Sequence, residues 1–120
     1  MNKNYKEKEA EKFAFLRVPK VLISHTAYKK LSADAVLLYG ILFDRMCLSV
    51  KNRDRFTDRY GDVFVYCTLK EICETFNCGH DKATRLQCEL VKHNLLCRKC
   101  QGKGKPAKLY VLSMPKEPLI

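Results

Sequence analysis

The stretch Thr68-Leu69-Lys70-Glu71-Ile72-Cys73-Glu74-Thr75-Phe76-Asn77-Cys78-Gly79-His80-Asp81-Lys82-Ala83-Thr84-Arg85-Leu86-Gln87-Cys88-Glu89-Leu90-Val91-Lys92 decides the fold. Thr68 with Glu71 three residues on is a capping box, in which each side chain satisfies a free backbone N–H at a helix start. The helix it opens carries Leu69, Ile72, Cys73 and Phe76 on one face. It ends at Asn77-Cys78-Gly79, a tight turn in which Asn77 or Gly79 can take positive φ. A second helix runs from about His80 to His93, with Ala83, Leu86 and Leu90 as its buried stripe. Beyond it, Leu95 to Cys100 and Leu109 to Leu112 read as two strands joined by Gln101 to Lys108, whose tip holds Gly102 and Gly104. Helix, turn, helix and hairpin in this order predict a winged helix-turn-helix. The fold class is α+β: a small, mostly helical domain with a C-terminal β-hairpin wing.

Upstream, Val63-Phe64-Val65-Tyr66 is a β-branched and aromatic strand. Lys51 to Gly61 is polar and reads as an exposed loop or loose hairpin. A central helix begins after Ser32, a good N-cap, with Asp34 in its first turn, and runs to about Val50. Ala35, Leu38, Leu42 and Met46 form its stripe, and Leu37, Ile41 and Leu48 fill the adjacent face, which predicts burial over much of its circumference. A short helical turn covers Thr26 to Lys30, and Phe13 to Val18 predicts a strand ending at Pro19. Residues 1–12 read as a flexible arm, 13–114 as the domain, and 115–120 as a tail or linker to a further C-terminal part.

The 120 residues are enough for one domain with one core. The net charge is +10, which points to a polyanionic partner. Its distribution is uneven. Residues 79–108 hold eight basic groups against Asp81 and Glu89, an excess of +6, while residues 13–62 contribute +4. With Ala83, Leu86 and Leu90 inward, His80, Asp81, Lys82, Thr84, Arg85 and Cys88 face the other side of the second helix, and Lys92 closes it. The predicted DNA-binding residues are therefore His80, Asp81, Lys82, Thr84, Arg85 and Lys92 on the recognition helix. Arg pairs with guanine through two hydrogen bonds, and Lys and Thr reach bases or phosphates. On the wing they are Lys99, Lys103, Lys105 and Lys108, placed to neutralise phosphates where glycines allow close approach. The expected partner is double-stranded DNA.

Other chemistries find less support. Apolar runs are far shorter than the roughly 20 residues of a spanning helix, and the charged N-terminus is no signal region. A membrane partner is not expected, and the cytoplasm is the expected location. Seven cysteines, an odd number, fit a reducing compartment. Cys97 and Cys100 with Cys73 and Cys78 could hold zinc, but residues 97 and 100 of a strand point to opposite faces. Cys47, Cys67 and Cys73 read as small buried apolar residues. Cys88 or Cys100, near basic groups, could serve a thiol-dependent regulator. His25, His80 and His93 lie on separate elements and read as caps or surface groups, and Asp44-Arg45 as a surface ion pair. No catalytic motif is present, so neither an enzyme nor a cofactor is predicted. A transcriptional repressor on the same fold is the nearest alternative function.

Several segments resemble the N-terminal domain of the RepA_N plasmid replication initiators. These are Phe15 to Lys20, Tyr28 to Ala35, Leu38 to Met46, Asp62 to Tyr66, Glu71 to Cys78 and the Gly102-Lys103-Gly104-Lys105-Pro106 wing. The resemblance covers about residues 13–113, and Leu31 to Met46 is its most specific part. It implies a winged-helix domain that binds repeated sites at a plasmid origin, usually as a dimer. It also implies that host replication proteins are recruited by a further C-terminal domain. His80 and Asp81 depart from the pattern, in which lysines or small polar residues are common. The N-terminal strand or the Lys51–Gly61 loop is the expected dimer contact.

Overall fold

The computed structural model describes residues 14–51 and 53–113. The arm assigned to residues 1–12, Phe13, and the tail assigned to 115–120 lie outside them. In chain order the elements are α1 (Val21–Ser24), a 3-10 turn (Thr26–Tyr28), α2 (Ala33–Val50), α3 (Arg53–Phe56), α4 (Leu69–Phe76), α5 (His80–Lys92), β1 (Leu96–Lys99) and β2 (Lys108–Val111). The strands pair antiparallel with Leu96 opposite Val111 and Lys99 opposite Lys108. This is the α+β winged helix that the order of capping box, turn and hairpin predicts.

The core gathers Ala35, Leu38, Tyr39 and Leu42 of α2, Ile72 of α4, Ala83, Leu86 and Leu90 of α5, and Leu95, Leu96 and Leu109 at the wing base. Ser32 caps α2: its hydroxyl accepts from the Ala35 N–H at 3.2 Å. Burial of α2 is narrower than its composition suggests. Leu37 and Leu48 remain 44% and 55% exposed, so the second apolar face is not filled.

Residues 14–18 form no strand. They run across Gly40 of α2, where an added Cβ would lie 3.0 Å from Val18 Cγ2, 3.3 Å from Leu16 Cδ2 and 3.4 Å from the Arg17 carbonyl oxygen. Leu16 and Val18 thus pack on a helix rather than in a ladder. The strand assigned to Val63–Tyr66 reduces to two isolated bridges, Thr57 with Val63 and Val65 with Leu109. Because Val63 and Val65 take different partners, neither ladder lengthens. The Val65 N–H donates to Leu109 O at 2.8 Å and the Leu109 N–H returns to Val65 O at 3.0 Å, fixing this segment to the wing.

The polar 51–61 segment contains α3 and then a tight turn closed by Asp58, whose Oδ1 accepts from the N–H groups of Tyr60 (2.9 Å) and Asp62 (3.0 Å). The Tyr110 hydroxyl donates to Asp58 Oδ2 at 3.0 Å. Phe56 meets Phe64 and Tyr66 edge-on, so the segment is anchored by aromatic packing as well as by this carboxylate. Desolvation pushes the Asp58 carboxyl upward, but the bonds from Asp62, Tyr110 and Tyr60 and the charge of Lys108 outweigh it and hold it below its ordinary range.

Candidate nucleic-acid interface

α4 and α5 end alike. Asn77 (φ 49°) and Asn94 (φ 58°) both take the left-handed conformation. Across each turn an N–H reaches back five residues, Cys78 to Cys73 O at 3.0 Å and Leu95 to Leu90 O at 2.9 Å, which is the Schellman closure. Such a closure sets the angle at which the chain leaves the helix, so the two asparagines aim α5 and then the wing. Both halves of the Thr68–Glu71 capping box are formed. Glu71 also meets Arg45 of α2 at 2.6 Å, while the other Arg45 nitrogen donates to Tyr66 O at 2.6 Å. Arg45 is therefore not paired with its neighbour Asp44, as the sequence suggested, but fixes the start of α4. Burial pushes the Glu71 carboxyl up, and the Arg45 and Thr68 bonds more than reverse it, leaving it below the usual range.

α5 is held against the start of α2 at two points. The Glu89 carboxylate accepts from both the N–H and the hydroxyl of Ser32, each at 2.9 Å. Lys82 Nζ lies 2.7 Å from Asp34 Oδ2, and that hydrogen bond and charge raise the Lys82 pKa. Lys82, assigned from the sequence to the outer face, is thus turned back toward α2.

The outer face of α5 is one wall of an open groove of about 700 Å³. His80, Thr84, Arg85, Gln87, Cys88, Glu89, Val91 and Lys92 line it, with Leu69 of α4 and Arg98 of β1 completing it. Four of the six recognition-helix residues named from the sequence (His80, Thr84, Arg85 and Lys92) therefore converge. Asp81 is exposed in the first turn but does not line the groove.

The wing separates its cations by face. Opposed residues of an antiparallel pair project to the same side. Arg98 opposes buried Leu109 and faces the groove, whereas Lys99 opposes Lys108 on the other side. Lys99 shares a second cleft with Arg59, Tyr60 and Tyr110. Lys108 Nζ lies 4.6 Å over the Phe64 ring, which with Asp58 offsets the Lys99–Lys108 like-charge pair. Lys103 and Lys105 are exposed at the tip, beside Gly102 (φ 110°) and Gly104 (φ 77°). Among the described residues, Arg98 is the groove cation that the sequence does not point to as a wing contact. Its signal is strand periodicity, since it shares a face with Leu96.

The remaining candidates have local roles. His25 Nδ1 accepts from the Ala27 N–H at 3.0 Å and caps the 3-10 turn. His93 Nδ1 lies 2.8 Å from Glu89 O at the end of α5. Cys67 is buried, Cys47, Cys73 and Cys78 are half-buried, and Cys88, Cys97 and Cys100 are exposed. Among the described residues no three His, Cys, Asp or Glu side chains gather as a metal site, and no helix is long and apolar enough to cross a membrane.

Fold and groove together define a winged helix-turn-helix module with a cationic outer face. Residues 14–119 match the family described as replication initiator protein A (RepA) N-terminus. The chain belongs to that family. A 41 kDa protein of Lactobacillus helveticus is 29% identical over 110 residues, 87% of this chain and 31% of that protein. The chain therefore spans about a third of that relative's length. Among solved structures, the N-terminal domain of a DNA binding protein is 31% identical with a TM-score of 0.73, over 100% of this chain and 87% of that one. The protein of a Rep–DNA complex is 31% identical, TM-score 0.75, over 96% and 88%. An MDR initiator is 32% identical, TM-score 0.72, over 96% and 89%.

Proposed function

We propose that this chain is the DNA-reading part of a plasmid replication initiator. α5 enters the major groove of repeated origin sites, and the wing grips flanking phosphates. The observation that carries this reading is the convergence of His80, Thr84, Arg85 and Lys92 with Arg98 on one groove, beside the exposed tip cations Lys103 and Lys105. Arg85 supplies base recognition, and Lys103 and Lys105 supply counterion release. The chain acts by binding, without catalysis, as a homodimer in the cytoplasm. Host replication proteins are recruited through sequence outside these 120 residues, in keeping with the fraction of the longer relative that it matches.

Selection of bound fragments from a plasmid library tests the reading. Enrichment of direct repeats supports an initiator, whereas a palindrome beside a promoter supports a repressor, and no enrichment removes sequence-specific binding altogether. Sedimentation at micromolar concentration with and without the selected duplex tests the homodimer, and a monomer under both conditions removes it.

A further inference from the structure

α5 carries two apolar stripes. Ala83, Leu86 and Leu90 are buried in the core. Thr84, Cys88 and Val91 recur on the exposed side at helical spacing, and Val91 is 43% exposed. This second stripe lines the groove together with Leu69, beside the cations Arg85, Lys92 and Arg98, and the Glu89 carboxylate that also borders the groove is taken up by the N–H and hydroxyl of Ser32. Core packing does not account for an apolar strip on the outer face of a charged helix.

We infer that the Thr84–Cys88–Val91 seam receives the C5-methyl groups of thymines and so selects A·T pairs beside whatever Arg85 reads. The inference rests on the DNA reading above. Apolar lining interspersed with Arg85, Lys92 and Arg98 suits a polyanion that presents small apolar groups between its charges. A duplex major groove offers that pattern, phosphates on both edges and thymine methyls along the floor. The seam spans about 10 Å along the helix, the length of about three base-pair steps at about 3.4 Å each. It can therefore read more than one thymine within a single site.

The test uses the whole chain and a duplex taken from the selection, with each thymine replaced in turn by deoxyuridine, which lacks the methyl group. Fluorescence anisotropy should show binding about fourfold weaker at two or three positions, the worth of one buried methyl each. Thr84→Ser, Cys88→Ser and Val91→Ser should each erase the penalty at one position. All three residues are exposed, and far-UV circular dichroism checks that the variants are folded. Equal affinity for the parent duplex and a fully uracil-substituted one overturns the inference while leaving DNA binding intact. So do penalties that persist undiminished in all three variants, which assign them to duplex shape. A Val91→Ser variant that keeps every penalty but loses self-association makes the seam a protein contact, and also overturns it. If the selection enriches no site, the DNA reading itself fails and takes the inference with it.

Discussion

Asn77 and Asn94 turn the chain at two points in the left-handed region, where a Cβ crowds the following carbonyl and asparagine is better tolerated than alanine because its short polar side chain can hydrogen-bond locally. Asn77→Ala and Asn94→Ala should each lower stability by about 1 kcal/mol, a drop of about 4–8 °C in Tm. The glycine variants should stay near the parent, and calorimetry separates the two cases. Glu71 gives a pH dependence of definite sign. Its folded pKa is depressed, so its contribution is full above the unfolded value near about 4.3 and disappears as pH falls through the lower folded value. Urea midpoints measured from pH 7 to 3 should fall steeply for the parent and less steeply for Glu71→Gln, which keeps a capping-box residue. The capping box and the first asparagine turn are readable from sequence because their partners lie within a few residues. Asn94 is just as local, yet it follows a helix whose end is already marked by His93, so its left-handed turn goes unnoticed.

At the scale of elements, the outer face of α5 is where it is because Lys82 and Glu89 clamp the helix to the start of α2. Ser32→Ala removes the side-chain cap of α2 and one of the two hydrogen bonds that anchor Glu89, leaving the one from the backbone N–H. It should cost about 1–2 kcal/mol, with the larger share of the loss in amide-exchange protection at α5 and the first turn of α2. An equal loss across all helices would show that the clamp is not local. Ser32 is legible as a cap, yet its partner Glu89 lies 57 residues away, and nothing in either local pattern joins them. Lys82 fails for the same reason: helical phase places it outward, and a carboxylate on another helix draws it back. The strand expected before Pro19 fails differently. Its residues are apolar and aromatic enough for a strand, but Gly40 offers them a flat helix surface, and tertiary packing overrides propensity. The wing strands were legible because their flanking turn carries two glycines, and the division of their cations between two faces follows once the register is known.

For the molecule as a whole, sequence reading and phosphate binding should separate by mutation. Arg85→Ala should cost about 1–3 kcal/mol on the selected site and little on random DNA. Lys103→Ala and Lys105→Ala should weaken both alike, each lowering the slope of log K against log salt by about 0.9. Titrations at several salt concentrations distinguish these outcomes, and a salt slope unchanged in both lysine variants removes the wing tip from the interface. The total charge is legible at once, but the shape of the interface is not, because it depends on which cations other groups already occupy. α2 has a further consequence as a common mount. It holds α5 through Ser32 and Asp34, and it holds the wing through the Tyr39 hydroxyl, which donates to Leu112 O at 2.9 Å. Helix and hairpin are therefore the two jaws of a caliper with a fixed gap. On the proposed DNA reading, such a molecule should measure length as well as sequence: one base pair inserted between the bases read by α5 and the phosphates gripped by the tip should move one jaw off its mark by about 3.4 Å.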